Sequence, residues 1–507
     1  MSLLKATRDA VLAIDQGTTN TKALCVGRDG TVSCRVSVPV RMLETAEGWS
    51  EQAPDELWSS CEKAAAECLR LAEDAGLRVG GVALSNQRET AVAWHRETGE
   101  PLMNAISWQC TRSARLCGEM AGEAETIQRK TGLPLHPVVS ASKWKWMLRE
   151  SALAERMRDL ARQKKLCLGT VDAWLVFKLT SGKVFATDHT NASRTALLNL
   201  ETLGWDGGLA EMFGVPLSAL PRVQPSASEF GVCSAPRGLE DAPIVSVAGD
   251  SHAALAAYGD AAGMVKATYG TGSSLMMALD ELPKDSGTVA RTVAWSTTSD
   301  VRYALEGNIA MTGSAVQWVG EFLGLPRPTE DCVALAETVT DAAGVMFVPG
   351  MAGLGAPWWD GAARGSVHGL GRSHRAAHLA RAAMDAIAFQ VADVFDAMKI
   401  AAGTELDALR ADGGASRNDR LMQFQADVLG GDVLRSATEE LSSVGAAWLG
   451  GMTLGWWKTP AEPAAGMQAA KRFCARMTAE DRRELRERWR DAVRRTLTQR
   501  TATREVA

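Results

Sequence analysis

Two stretches far apart in this chain share one grammar. Val11-Leu-Ala-Ile-Asp-Gln-Gly-Thr-Thr-Asn-Thr-Lys-Ala23 passes from an apolar run through a turn of glycine and hydroxyl residues into a second apolar run. Met264-Val-Lys-Ala-Thr-Tyr269 passes through Gly270-Thr-Gly-Ser-Ser274 into Leu275-Met-Met277 in the same way. Short apolar runs bounded by Gly-rich turns read as buried strands. A strand-turn-strand unit in each half constrains the chain to a duplicated α/β fold, with two domains, a cleft between them and a boundary near residues 255 to 262.

The flanking sequence fits that plan. Strands are predicted over 11–14, 21–27 and 31–40, with Gly27-Arg-Asp-Gly30 as a turn. From residue 55 to 76, Leu57, Cys61, Ala65, Cys68, Leu69 and Ala72 recur at helical spacing, with Asp55 as N-cap and Gly76 just past the end. A strand over 79–84 then delivers Ser85-Asn-Gln-Arg-Glu-Thr90 at its carboxyl end, where ligands bind in open α/β sheets. Similar material recurs from Ala242: a strand over 243–247 runs into Ala248-Gly-Asp-Ser-His252 and a helix. Residues 408–411 lead into Asp412-Gly-Gly-Ala-Ser-Arg-Asn418. The charged tail over 479–504 reads as a solvated helix laced with i,i+4 pairs.

Composition narrows the partners. The 507 residues and a hydrophobic content of 46% suffice for two large cores. Lys+Arg of 55 against Asp+Glu of 60 leaves a net charge of -5, without the basic field that nucleic acid or an anionic membrane would call for. A small-molecule partner is expected. The 10 cysteines are scattered, with no CxxC pair and no Cys/His cluster, which fits reduced thiols better than a disulfide framework or structural zinc. No long apolar window or signal-peptide pattern occurs, so a soluble cytoplasmic protein is expected.

The turns suggest phosphate chemistry. Backbone amides and hydroxyls in Gly17-Thr-Thr-Asn20 suit phosphate oxygens, Lys22 adds a point charge, and Asp15 makes sense beside phosphate if hydrated Mg2+ lies between them. A plain hairpin is the alternative, and the matching turn at Gly270-Thr-Gly272 weighs against it. Neither a Walker A sequence nor the protein-kinase motif set is present. Asp250, after an apolar strand and beside Gly249, whose lack of a side chain leaves room for a substrate, can take the proton of an attacking hydroxyl or can simply cap a helix. His252 reads as a cap or surface group. Arg88 donates and Glu89 accepts, so together they can orient neighbouring hydroxyls of a polyol. Trp108 is either an apolar wall for such a substrate or core packing.

The motifs Asp15-Gln-Gly-Thr-Thr19, Ser85-Asn-Gln-Arg-Glu-Thr90, Ala105-Ile-Ser-Trp-Gln-Cys110, Gly169-Thr-Val-Asp-Ala-Trp174, Thr187-Asp-His-Thr-Asn-Ala-Ser-Arg194, Tyr269-Gly-Thr-Gly272, Phe347-Val-Pro-Gly350, Gly353-Leu-Gly-Ala-Pro-Trp-Trp-Asp360 and Asp412-Gly-Gly414 occur in this order. By them the chain resembles the FGGY carbohydrate kinases over nearly its whole length, and most of all their glycerol-phosphorylating members. The resemblance implies two domains of the actin-like ATPase (ribonuclease H-like) fold with a catalytic cleft between them. Residues 1–257 would bind polyol and phosphate, and 258–507 the nucleotide. It implies ATP and Mg2+ as cofactors, a polyol or sugar as acceptor, and a homodimer or homotetramer. Asp15 would position the hydrated metal. Thr18, Thr19, Asn20 and Lys22 would lie against the phosphates, with Thr271 and Gly272 as the opposing clamp. Gly313, Gln317, Gly414 and Asn418 fall where the family holds the nucleotide. Asp250 matches the general base, and Arg88 with Glu89 the hydroxyl-binding pair, with Trp108 nearby.

Three acceptor positions depart from the glycerol-phosphorylating pattern. A tyrosine is replaced by Val138, a glutamine after the catalytic aspartate by Ser251, and a phenylalanine after the Gly-Thr-Gly turn by Ser274. Each change is from large to small, so a larger polyol or ketose, a tetritol, pentitol or xylulose-like sugar, is an alternative acceptor. The sugar-bisphosphate loop of bacterial members would fall over 230–238, which is shorter and does not match, so inhibition of that kind is not expected. A nucleotide-dependent switch or a sugar sensor without turnover is the rival, and neither requires Arg88, Glu89 and Asp250 together.

Overall fold

The structure, a computed structural model, describes residues 8–259, 263–285, 287–406, 408–464 and 469–498. Its first sheet is built from β1 (Arg8–Gln16), β2 (Asn20–Gly27), β3 (Val32–Pro39), β4 (Leu77–Asn86) and β5 (Ile244–Gly249), in the order β5-β4-β1-β2-β3. β1, β2 and β3 form the expected antiparallel meander, and β4 and β5 add in parallel. The helix α1 (Pro54–Asp74) returns the chain from β3 to β4 and buries Leu57, Cys61, Ala65, Cys68 and Ala72 against the sheet. Its N-cap is Ala53, two residues before the expected cap at Asp55. Pro54 takes the first position, where its missing N–H and fixed φ cost nothing, so Asp55 lies inside the first turn instead of capping it. Gly76 follows the end with φ +70°, as expected. The helix α2 (Asp250–Ala256) leaves β5 directly.

The second sheet repeats this order and extends it. Its strands are β6 (Val265–Tyr269), β7 (Ser273–Leu279), β8 (Ala290–Ser296), β9 (Val301–Ile309), β10 (Ala408–Asp412), β11 (Asp432–Ser436) and β12 (Ala469–Phe473), ordered β8-β9-β7-β6-β10-β11-β12. The run β9-β7-β6-β10-β11 has the same senses as β3-β2-β1-β4-β5: an antiparallel meander followed by two parallel strands. The repeat therefore opens at β6. The strand after Ala242 belongs to the first sheet, as its fifth member.

Three helices complete the frame. α3 (Gly313–Phe322) follows β9, α4 (Ala376–Ala402) runs through the second core, and α5 (Leu441–Thr453) crosses back to the first sheet. There α5 packs on β1, β4, β5 and α2, and Ser246 Oγ donates to the carbonyl of Ala446 at 2.7 Å. The tail helix α6 (Ala479–Thr496) is not solvated all round. Its Trp489 is buried and donates to Asp393 Oδ2 at 2.7 Å, while the buried Arg486 pairs with Asp393 and Asp396. The ion-pair pattern read on its surface hid a packed face. No helix among the described residues is long and apolar enough to cross a membrane.

Candidate active site

The carboxyl ends of β1, β4 and β5 lie side by side. Register places Asp15 opposite Ser85, and Asn86 opposite Gly249. Ser85 Oγ donates to Asp15 Oδ1 at 2.8 Å, and Gln87 Nε2 donates to Gln16 Oε1 at 3.0 Å, so the two loops are stitched together. Burial pushes the Asp15 carboxyl up to about 6, the nearby Asp250 charge adds to the rise, and Ser85 and Lys22 oppose it. Asp15 thus meets the Ser85 hydroxyl and the Lys22 charge on one side and a second carboxylate, Asp250, on the other.

Asp250 opens α2, with Gly249 as the capping residue, so the helix-cap alternative fails. Its Oδ1 accepts from the Ser251 amide at 2.6 Å and from Arg88 Nε at 3.0 Å. Gly249 was expected to make room for substrate. A Cβ there would lie 2.7 Å from Arg88 Cγ and Cδ, so the space it leaves is filled by that arginine. Arg88 is buried, and its Nη1 pairs with Glu306, a fully buried acid on β9. Glu89 adopts φ +62° and accepts from Arg194 Nε at 2.7 Å. Arg194 Nη1 in turn stands 2.8 Å from Glu306 Oε2. Asp250, Arg88, Glu306, Arg194 and Glu89 therefore form one chain of alternating charge across both sheets.

A short capped helix sets Arg194 in place. Asp188 accepts from the amides of Thr190 and Asn191 at 2.8 and 2.9 Å, and Asn191 Nδ2 donates to Asn86 Oδ1 at 3.1 Å. His252 corrects the surface reading. It is fully buried, its Nε2 is 3.2 Å from Thr292 Oγ1, and its Nδ1 has no hydrogen-bond partner among the described residues. Burial holds its pKa well below the ordinary range, and Arg88 adds to that effect. Lys266, fully buried on β6, reaches the carbonyl of Ser251 at 3.4 Å, and burial lowers its pKa while Asp412 and Asp250 raise it.

The expected acceptor positions are distributed around this chain. Trp108 Nε1 donates to Thr18 Oγ1 at 3.0 Å and its amide to Thr90 Oγ1 at 3.1 Å, which ties the indole to the phosphate turn. Val138 lies in a turn whose carbonyls at Pro137 and Val138 accept from the buried Lys143, whose pKa burial lowers to about 8. Ser251 is buried at the start of α2. Ser274, opposite Asn308 of β9, has a buried hydroxyl with no hydrogen-bond partner among the described residues.

The first turn closes with the Gly17 amide on the Asn20 carbonyl at 3.0 Å, and Asn20 Nδ2 donates to Thr19 Oγ1 at 3.1 Å. In the second, the Gly270 amide meets the Gly272 carbonyl at 2.9 Å, while the amides of Thr312 and Gly313 bond to the carbonyls of Thr271 and Gly270 at 3.0 Å. This interlock holds Thr271, Gly272 and Gly313 together at the start of α3. Gln317, a turn further on, donates to Glu321 at 2.8 Å, and Asn418 caps the helix Asp419–Leu429 at the Leu421 amide. Gly414 begins the 3-10 turn after β10.

The reading from sequence assigned no role to Arg194, Glu306, Lys143 or Lys266. Arg194 closes a quoted motif, and Glu306 is a lone acid in the apolar run Ala304-Leu-Glu-Gly307, a signal that burial alone would have exposed.

Residues 10–257 match the N-terminal domain of the FGGY family of carbohydrate kinases, and residues 265–454 match its C-terminal domain. The chain belongs to the FGGY family of carbohydrate kinases. This FGGY kinase is 42% identical to a glycerol kinase of Burkholderia cenocepacia over 490 residues, which cover 96% of this chain and 97% of the relative. Its fold superposes on Plasmodium falciparum glycerol kinase with ADP at a TM-score of 0.87 and 29% identity, covering 97% and 99% of the two chains. It superposes on ligand-bound xylulose kinase from Lactobacillus acidophilus at 0.83 and 21% identity, covering 96% and 98%, a likeness of fold. The FGGY kinase is an ATP-dependent phosphotransferase with an alcohol group of a polyol or sugar as acceptor.

Proposed function

We propose that this FGGY kinase transfers the γ-phosphoryl group of ATP to a terminal hydroxyl of glycerol or a related polyol, with Asp250 as general base. The observation that carries the reading is Asp250 at the end of β5, partly exposed, oriented by Arg88 Nε at 3.0 Å and beside the charge of Asp15. Arg88, Glu89 and Trp108 orient the acceptor, and Asp250 accepts the proton of its attacking hydroxyl. Thr18, Thr19, Asn20 and Lys22 on one side and Thr271 and Gly272 on the other receive the phosphates. Gly313, Gln317, Gly414 and Asn418 hold the rest of the nucleotide. In this reading residues 1–257 serve acceptor and phosphate, and 258–507 serve the nucleotide.

The residues fit a hydrated Mg2+. Asp15 is half-buried and its carboxyl is raised to about 6 near a second carboxylate, a charge that a divalent cation would offset. Among the described residues no three acidic, histidine or cysteine side chains converge, so such an ion would be held by Asp15 through water and by the phosphates. When bound, it would neutralise charge on the migrating phosphoryl group.

A second reading, a larger polyol or a ketose as acceptor, is favoured by Val138, Ser251 and Ser274, and by the unpartnered buried hydroxyl of Ser274 in particular. The test is ADP release with Mg-ATP across glycerol, tetritols, pentitols, hexitols and ketoses. A preference for glycerol supports the first reading, and a winner of four or more carbons the second. ADP release independent of any acceptor removes both. The enzyme is proposed to work in the cytoplasm as a homodimer or homotetramer, without inhibition by fructose 1,6-bisphosphate.

A further inference from the structure

We propose that Glu306 is a positioning residue that holds the acceptor site from the opposite domain. The inference rests on the reading of Arg88, Glu89 and Asp250 given above, and adds to it a residue that no substrate need touch.

Glu306 stands on β9 of the second sheet, and both of its oxygens are directed at arginines of the first domain. Oε1 pairs with Arg88 Nη1 and also accepts from Asn308 Nδ2 at 3.1 Å, while Oε2 lies 2.8 Å from Arg194 Nη1. Each of those arginines uses its Nε on a different carboxylate: Arg88 on Asp250 at 3.0 Å, Arg194 on Glu89 at 2.7 Å. One buried acid therefore fixes two guanidinium planes, and the two planes fix the orientations of the base and of the hydroxyl-accepting Glu89. Arg194 and Glu306 have side chains 3% and 0% exposed, so solvent cannot replace either partner.

Charge balance gives the acid its second task. Without Glu306, two buried guanidiniums would face Asp250 and Glu89 alone, and each would tighten on the carboxylate that is needed by the acceptor. Burial by itself would protonate Glu306, but the charges of Arg194 and Arg88 hold its pKa well below the carboxylate range, so it stays ionised. The Arg194–Glu306 contact is an ion pair, and neither Nη1 nor Oε2 has a hydrogen-bond partner among the described residues.

The position of Glu306 along β9 also matters. Ile309, three residues on, pairs with Ser273, and its carbonyl lies where a Cβ on Gly272 would meet it at 2.6 Å. The strand that clamps the acceptor arginines thus also backs the second phosphate turn.

The experiment compares the unaltered chain, Glu306→Gln and Arg194→Lys in acceptor and ATP titrations of ADP release, with thermal unfolding in parallel. Glu306→Gln is expected to raise the acceptor KM and lower kcat each by at least about tenfold, with the KM for ATP within twofold. Arg194→Lys keeps a cation against Glu306 but loses the Nε contact to Glu89. It is expected to raise the acceptor KM by about tenfold with a smaller change in kcat. A merely structural role would lower the melting temperature and leave both KM values alone. The clamp is overturned if Glu306→Gln, or Arg194→Lys where the first variant does not fold, retains the acceptor KM within twofold. If the unaltered chain releases no ADP in response to any acceptor, the proposed function fails instead.

Discussion

In the first sheet Asp15 on β1 stands opposite Ser85 on the parallel strand β4; in the second sheet Thr268 on β6 stands opposite Asp412 on the parallel strand β10. The two pairs occupy the same place in the repeated topology, one step before a Gly-Thr turn, with acid and hydroxyl exchanged between strands. Their electrostatics differ. Asp15 lies near another carboxylate, with a pKa of about 6. Burial also raises Asp412, but Lys266 lowers it, and Tyr258 OH lies 3.3 Å away. Duplication supplied one geometry twice; the first copy sets its acid near another carboxylate, and the second sets its acid near a buried lysine.

The largest expected contrast sets Asp250 against Asp412. Asp250→Asn should lower kcat by about 100- to 10,000-fold while ADP still raises the melting temperature as in the unaltered chain. Asp412→Asn should leave kcat within about tenfold, because its carboxyl faces Lys266 and Tyr258. Comparable losses of turnover in the two variants would break the comparison.

Asp15→Asn should impair phosphoryl transfer and yet stabilise the free protein. The folded carboxyl sits at about 6 against an ordinary 3.8, so the folded chain holds the proton more tightly than the unfolded one. The stability associated with that proton is complete below the unfolded value and is lost as pH rises through about 6. Above that, ionised Asp15 costs on the order of 2 to 3 kcal/mol, which the amide would recover. The gain in melting temperature should be full near neutral pH and vanish in acid; a gain independent of pH would remove the electrostatic account.

The turns themselves give a smaller contrast. A Cβ on Gly272 would meet backbone oxygens of Ile309 and Ala310 at 2.6 and 3.0 Å, whereas one on Gly17 meets only the Asn20 carbonyl at 3.0 Å. Gly272→Ala should therefore cost about 2 kcal/mol in unfolding free energy and raise the KM for ATP, with Gly17→Ala milder in both. Equal costs would show that the second turn is no more tightly built than the first. Smallest is Ser274→Phe, expected to shift the ratio of kcat/KM toward glycerol over larger polyols by about tenfold. An unchanged ratio would dissociate Ser274 from acceptor size.

Much of the site was legible from local chemistry. Asp15, Arg88, Glu89 and Asp250 each follow an apolar strand, and strand ends present side chains to a crevice, so their placement required only the period of the pattern. Gly249 shows where such reasoning stops, because the atom that fills its space comes from a loop far away in sequence. His252 and Glu306 show the same limit, since burial is a property of the packed molecule. Trp489 was hidden by the charges around it, which occupy the other faces of its helix.

The sequence by itself determined the duplication, the strand-turn-strand units and the residue types at the cleft, since these depend on hydrophobic period and turn chemistry within a few residues. Tertiary structure alone decided that α5 returns to the first sheet and that Arg88 fills the space beside Gly249. It also decided that one acid on β9 holds two arginines of the other domain. Long-range ion pairs carry no local signature, because either partner alone reads as an ordinary charged residue until burial removes the water that would otherwise satisfy it.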